Sequence, residues 1–552
     1  MMRLAVFIVL QLLVTTLFAQ PTNIIANQGI TSAFHQANLG KIVFTSKNIA
    51  ASELRQEDVL QEYTFTNRSD LFMTVFMGNS MTNYLHYLAP NLTADSVVKI
   101  GNYQFALYVD GRLIYESNLY PGAPNKRVQD TATFISKPLV DNNHEGVYWS
   151  QYYWGRFLMN GGDSALTDGK HQLQMKIRPY VKLNEVVKVG DVIAEGTIQL
   201  NVQRKVTIDL ATVQLNAIKP YPGFGISKEK FNREKIQALK ANIDAGVFKH
   251  INGVVVVSNG NLLIEEYFNE ANRNSLHDPR SVGKSFASTV TGIAINEGYL
   301  KSEEQQLKEF YDVHKYEQFA VEKENVSLKD LLTMSSVFDG DDNTNSPGNE
   351  ENMYPTENWV NFVLNLPMNP TRPAGEFHYF TAGVVLLGDI LNKSVPGGLE
   401  KYADTKLFKP LGIKEYKWQY TPQHVANTAG GIQMNALDFA KYGQLYKNEG
   451  KWNGKQILPA QWVHKTFTRH KKIPGRVEEY YGYLFWNKKY KVAGKEYETF
   501  YCAGNGGNKI FVFPNHPWVI VITASAYGAM YAHPQVDKMM TEYIIPALVG
   551  DK

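Results

Sequence analysis

The chain has 552 residues, 44% hydrophobic and 20% charged, with a formal net charge of +3 at pH 7. That length exceeds one ordinary domain, so two or three are expected, and the composition is that of ordinary globular protein. The small net charge, with no basic run and no acidic tail, excludes a nucleic-acid partner from the reading.

At the N-terminus, Met1-Met2-Arg3 precedes an almost wholly apolar stretch, Leu4 to Phe18, and then Ala19-Gln20-Pro21. The apolar core is too short to span a bilayer, and a small residue stands at a cleavage point. The expectation is a signal peptide over residues 1–20, removed on export to the periplasm or medium. No Cys follows the cut, so a lipoprotein-type anchor is not indicated. No later apolar run is long enough for a transmembrane segment. Cys502 is the only cysteine, which excludes an internal disulfide, and its expected role is that of a small buried hydrophobe.

Residues 21–215 have a β texture. Lys41–Thr45, Leu60–Phe65, Leu71–Phe76, Gln104–Val109, Gln172–Ile177 and Gly196–Val202 are short alternating or β-branched runs between turn signals. Asp110-Gly111 is a hairpin signal. Many short strands at this spacing predict an all-β sandwich, read as an accessory domain with a glycan or protein as its open-ended ligand. Tyr148, Trp149, Tyr152, Tyr153 and Trp154 either fill its core, the commoner explanation, or line a binding surface. A Pro- and Gly-rich linker follows over residues 216–230, around Lys219-Pro220-Tyr221-Pro222-Gly223.

Residues 231–552 mix helical and strand patterns. Helices are expected over Phe231–Ala245, Ser327–Met334 and Asn358–Leu364. The strand pair at 253–268 and the strands at 510–524 bracket this part, as in an α+β fold whose antiparallel sheet is made from both ends. Between them comes Arg280-Ser281-Val282-Gly283-Lys284-Ser285-Phe286. Val282, Phe286, Val290, Ile293 and Ala294 recur at helical intervals, and Gly298 ends the run. Ser281 and Lys284 then lie one turn apart on one face of a helix start.

That spacing suits acyl transfer. A serine hydroxyl is a weak nucleophile and needs a base within reach. A lysine can be that base if burial lowers its pKa, and a helix N-terminus favours a developing oxyanion. Taken alone, a serine that opens a helix is most often only an N-cap, and that is the commoner reading of Ser281 by itself. Gly283-Lys284-Ser285 also resembles the tail of a phosphate-binding loop, but that loop needs a glycine five places before Gly283, where Asp278 stands.

Two further stretches carry chemistry only in company. Tyr379 and Thr381 follow the turn Pro373-Ala374-Gly375 and precede an apolar helix, so they either face a cleft or pack. A phenol can relay a proton there. Ala503-Gly504-Asn505-Gly506-Gly507-Asn508 precedes the strand Ile510–Phe513; its glycines either let a backbone approach a ligand or form a bulge or turn.

In this order, Ser-x-x-Lys, Tyr-x-Thr and a Gly-rich strand resemble the serine β-lactamase and penicillin-binding-protein superfamily, nearest its class C-like branch of esterases, D-amino-acid peptidases and 6-aminohexanoate-dimer hydrolases. The resemblance runs from about Asn252 to Ala526. It takes in Leu328–Ser336, Ala429–Gly443, Trp452–Leu458 and Tyr480–Trp486. It implies a β-lactamase-like α+β domain, an antiparallel sheet flanked by helices plus a helical subdomain. Ser281 would be the nucleophile, Lys284 its base, and Tyr379 the proton shuttle. The N–H groups of Ser281 and Asn505 would form the oxyanion hole, with Gly504 and Gly506 on the substrate strand and Thr381 binding substrate. No metal or organic cofactor is implied.

Two positions depart from the pattern. Thr381 stands where Asn or Ser is usual. Gly504-Asn505-Gly506-Gly507 replaces Lys-Thr-Gly or His-Thr-Gly, so this strand lacks the cation that holds a β-lactam carboxylate. The expected activity is therefore hydrolysis of an ester or amide in a small molecule or short peptide. A β-lactamase or D,D-peptidase, and a binding or sensor protein without turnover, are the alternatives.

Overall fold

The computed structural model describes residues 22–141, 153–184, 186–205, 207–344 and 346–550. The leader expected over residues 1–20, and Tyr148, Trp149 and Tyr152, lie outside them. The chain forms two compact units that part between Gln203 and Arg204.

The first unit holds two sheets around one core. Ile42–Thr45, Leu71–Phe76 and Phe134–Val140 make an antiparallel sheet of three. The other sheet runs Glu62–Thr66, Ala194–Gln203, Gly169–Leu183, Gly101–Val109, Arg112–Asn118, with Val186–Val189 added to the end of its longest strand. Phe44, Met73 and Val75 from the first share one buried cluster with Phe105, Leu107, Leu173, Met175 and Leu200 from the second. The two sheets therefore pack as the layers of a sandwich. Strand alternation drives this: Ile198, Leu200 and Val202 are buried while Thr197, Gln199 and Gln203 are exposed. Asp110 and Gly111 both take positive φ, 51° and 78°, as a two-residue hairpin turn requires.

The sandwich also carries helices that the β texture concealed: Met81–Leu88, Ala94–Ile100 and Lys126–Thr131. Ser80, Thr93 and Asn125 cap them, each side chain accepting an N–H of the first turn. Tyr153 and Trp154 are buried in the core and line no surface.

The second unit is built on a nine-stranded sheet. Its order is Gly225–Ile226, Asn261–Tyr267, Ile251–Ser258, Trp518–Ala524, Asn508–Val512, Lys495–Gly504, Trp486–Val492, Tyr480–Tyr481, Lys471–Lys472. Every neighbouring pair is antiparallel except the first. The central pairing joins the two ends of the unit, with Val254 opposite Ile522 and Val256 opposite Ile520. Four consecutive valines are buried because both sheet faces are covered. Val255 and Val257 meet Val282, Phe286 and Val290 of the helix Val282–Asn296. Val254 and Val256 meet Ile236, Leu239 and Ile243 of the helix Arg233–Asp244, together with Val536 and Ile545 near the C-terminus. The Val282–Asn296 helix ends as its sequence predicts, with Gly298 at φ 80°. Among the described residues no helix is long and apolar enough to cross a membrane.

One buried cation is unusual. Lys509, on the strand Asn508–Val512, is 5% exposed. Its ammonium lies 4.5 Å from the centre of the Tyr501 ring and joins no ion pair or hydrogen bond among the described residues. Burial, aided by the nearby Lys488 charge, pulls its pKa down to about 7. The folded value lies below the unfolded one, so from pH 10 down to pH 7 the unfolded chain gains a proton that the folded chain refuses, and stability falls. Lys509→Met should therefore stabilise the unit at pH 7 by on the order of 2–4 kcal/mol, with the gain fading toward pH 10. Denaturant melts at the two pH values measure both.

Candidate active site

Ser281 stands one residue before the Val282–Asn296 helix, at φ −60° and ψ −5°, and its hydroxyl makes no capping bond. Its Oγ instead accepts a hydrogen bond of 2.5 Å from Lys284 Nζ. Lys284 is 2% exposed. Its Nζ also donates to the Ala429 carbonyl at 2.7 Å and lies 5.3 Å from the centre of the Tyr379 ring. A hydroxyl, a carbonyl and a ring face thus surround the amine, and it joins no ion pair with a carboxylate among the described residues. An amine and a hydroxyl at this distance can exchange a proton directly.

Glycines let three backbones converge on this pair. A Cβ on Gly283 would lie 3.0 Å from the Gly430 carbonyl carbon. A Cβ on Gly504 would lie 1.8 Å from the Pro279 carbonyl oxygen and 3.1 Å from the Ser281 nitrogen. The end of the Lys495–Gly504 strand therefore rests directly on the turn that carries Ser281, which only glycine permits. Arg280, just before Ser281, is held at φ 52°, a conformation costly for a residue with a Cβ.

The Gly-rich stretch is partly strand and partly turn. Gly504 closes one strand, Asn505-Gly506-Gly507 turn the chain with φ of 89° and 95° at the two glycines, and Asn508 opens the next strand. Asn505 is exposed. Its carbonyl accepts from Asn508 Nδ2 and its Oδ1 from the Gly528 N–H. Neither the Ser281 N–H nor the Asn505 N–H donates to an acceptor among the described residues.

Tyr379 is half-buried and stacks on Trp486, with ring centres 5.6 Å apart. Phe377 and Tyr481 pack beside that pair, so the Tyr480–Trp486 segment backs the Tyr379 turn. Thr381 is the first residue of the helix Thr381–Ser394 and is 1% exposed. The structure thus brings Ser281, Lys284, Tyr379 and Gly504 together, while Thr381 sits deeper, at the helix start.

Two groups at the site carried no sequence signal. The Ala429 carbonyl is a backbone atom, and only the Gly430-Gly431 pair beside it hinted at a close approach. Asp342 lies in the loop between the motifs. Its N–H donates to the Tyr379 carbonyl at 2.8 Å, its Oδ2 accepts from the Thr381 N–H at 2.8 Å, and its Oδ1 accepts from the Glu350 N–H at 2.9 Å. Burial pushes its carboxyl pKa up, and the Thr381 hydrogen bond and the Lys284 charge pull against that. It ties the loop to both ends of the Tyr379–Thr381 segment.

Three other reactive side chains lie buried nearby. His277 and His378 are buried, which pushes both pKa values down to about 4 and leaves them neutral at pH 7. Cys502 is fully buried and its thiol is pushed up to about 12 by burial, in keeping with a small core hydrophobe. Among the described residues no group of three or more His, Cys, Asp or Glu is placed to hold a metal ion.

Two substitutions test this geometry. Gly504→Ala should abolish activity and also lower stability, because the new Cβ must push the strand off the Ser281 turn; Gly78→Ala, where φ is also not positive and the new Cβ would meet only the Tyr84 hydroxyl at 3.8 Å, is the control. Asp342→Ala should lower kcat about tenfold or more by releasing the Tyr379 turn, with a smaller change in Tm. Steady-state kinetics beside thermal melts separate the two effects.

A family model described as Beta-lactamase matches residues 239–535. No curated protein matches the chain. Among solved structures it is similar to a D-stereospecific amidohydrolase from Streptomyces sp., at 16% identity over 58% of this chain and 99% of that one, TM-score 0.42. It is similar also to an octameric penicillin-binding protein homologue from Pyrococcus abyssi, at 19% over 56% and 79%, TM-score 0.43. A family VIII carboxylesterase aligns at 15% over 57% and 97%, TM-score 0.44.

Proposed function

The chain belongs to the Beta-lactamase family, and on that premise we propose that it is an exported serine hydrolase that cleaves an ester or amide through an acyl-enzyme on Ser281. The observation that carries this reading is the Lys284 Nζ to Ser281 Oγ hydrogen bond, made by a buried amine with no carboxylate ion pair among the described residues.

In the proposed reaction, Ser281 Oγ attacks the substrate carbonyl carbon and its proton passes to Lys284 Nζ. The carbonyl oxygen becomes an oxyanion and accepts hydrogen bonds from the Ser281 and Asn505 N–H groups, which have no other acceptor among the described residues. Collapse of the tetrahedral intermediate breaks the ester or amide bond. The leaving oxygen or nitrogen takes a proton from the Tyr379 hydroxyl, which Lys284 replenishes. Water then adds to the acyl carbon as its proton passes through the Tyr379 hydroxyl to Lys284; the second tetrahedral intermediate collapses, breaking the bond to Ser281 Oγ, and Lys284 returns the proton to that oxygen as the acid leaves.

The substrate is a small molecule or short peptide carrying an ester or amide. Its backbone would lie along the strand end at Gly504 and Gly506, glycines that let this strand end and its turn sit against the Ser281 turn and the Tyr527 ring, with Thr381 deeper in the site. The site strand carries no lysine or histidine in the Asn505–Gly507 turn, which favours an ester or amide over a β-lactam.

Intact-mass analysis after a fluorophosphonate probe tests the assignment. The wild type should gain one adduct, Ser281→Ala none, and Lys284→Ala should react about 100-fold more slowly or worse. A folded wild type that takes no adduct would sink the hydrolase reading.

A further inference from the structure

The two N–H groups proposed for the oxyanion come from segments far apart in sequence, the Asp278–Ser281 turn and the Asn505–Gly507 turn. Their spacing decides how well both can reach one oxygen. The loop after the strand Trp518–Ala524 touches both turns, and Tyr527 is its centre.

On the Ser281 side, the Tyr527 hydroxyl donates to the Asp278 carbonyl at 2.8 Å. The Arg280 guanidinium lies over the Tyr527 ring, 4.3 Å from its centre. Asp278 Oδ1 closes the same turn by accepting the Arg280 N–H at 2.9 Å. Arg280 keeps its left-handed φ of 52° only because its surroundings hold it. Its side chain is pinned by the ring and its turn by the hydroxyl.

On the Asn505 side, the same ring lies against Gly506. A Cβ there would fall 2.8 Å from Tyr527 Cδ1. The Ala526 N–H donates to the Gly506 carbonyl, and the Gly528 N–H donates to Asn505 Oδ1 at 2.8 Å. The residues flanking Tyr527 thus fasten the Asn505 turn while Tyr527 fastens the Ser281 turn. The base of the loop is anchored by the buried cluster of Ala526, Ala529 and Ala532.

We propose that Tyr527 is a positioning residue that sets the spacing between the Ser281 and Asn505 N–H groups, and with it the stabilisation of the oxyanion. This rests on the acyl-enzyme reading above. Tyr527 touches no reacting atom; it acts through Asp278, Arg280 and Gly506. A displaced hole should cost binding of the tetrahedral state far more than binding of the ground-state ester.

The test uses p-nitrophenyl butyrate as substrate and phenylboronic acid as a tetrahedral mimic, with the wild type, Tyr527→Phe and Tyr527→Ala. Tyr527→Phe keeps the ring and loses only the hydroxyl contact, so it remains informative if Tyr527→Ala fails to fold. The expected result for Tyr527→Phe is a fall in kcat of about five- to tenfold, KM within about twofold, and boronate affinity weakened by the same factor as kcat. Tyr527→Ala, if folded, should lose about 50-fold or more in both. Variants with wild-type kcat and boronate affinity, or a loss of kcat without a matching loss of boronate affinity, would overturn the role. Fluorophosphonate labelling of the wild type scores the premise separately. A labelled wild type with unaffected variants sinks the Tyr527 role alone, whereas a wild type that neither labels nor turns over sinks the acyl-enzyme reading and the Tyr527 role with it.

Discussion

The candidate site depends on one buried amine. Lys284 is taken almost wholly out of water and joins no ion pair among the described residues. A buried ammonium without compensation costs several kcal/mol. What it has instead are hydrogen bonds to the Ser281 hydroxyl and the Ala429 carbonyl, at about 1.5–3 kcal/mol each for a charged donor, and the Tyr379 ring face at about 1–2 kcal/mol. Those contacts hold the amine in place beside the Ser281 hydroxyl. Lys323 and Lys441 show the contrast. Lys323 is also buried but donates to three carbonyls, and Lys441 pairs with the Asp438 carboxylate. Neither has a hydroxyl partner among the described residues.

The second constraint is distance. The Ser281 turn, the Gly430 loop and the Gly504 strand end meet at backbone contact, closer than any side chain allows. Glycine at these points weakens the local backbone by its conformational freedom. The surrounding structure compensates through the four-valine strand, the apolar Val282–Asn296 helix and the sheet pairing that joins both ends of the unit. The rigid part of the fold thus holds the part that would otherwise be loose.

Much of this was legible in the sequence because it is periodic or ordered along the chain. The valine run gave the central strand, the three- and four-residue apolar spacing gave the Val282–Asn296 helix, and Asp110-Gly111 gave a hairpin. The succession of Ser-x-x-Lys, Tyr-x-Thr and a Gly-rich stretch gave the family. The contacts that were not legible are those that join distant segments through backbone atoms. Asp342 reads as one acid among several in a polar loop until its two oxygens are seen on the Thr381 and Glu350 N–H groups. The Ala429 carbonyl and the Tyr527 hydroxyl have no side-chain spacing to betray them. In the first unit the helices were missed because they are short and set by capping residues rather than by a sustained apolar period.

The account turns on Ser281 carrying the acyl group during turnover. Rapid-quench mass spectrometry of the wild type hydrolysing p-nitrophenyl acetate examines that directly. One acetyl group should accumulate on the peptide that contains Ser281, forming no more slowly than p-nitrophenol is released in the first turnover and decaying at the steady-state rate. Turnover without a covalent intermediate, or with the acetyl group on another residue, would contradict it.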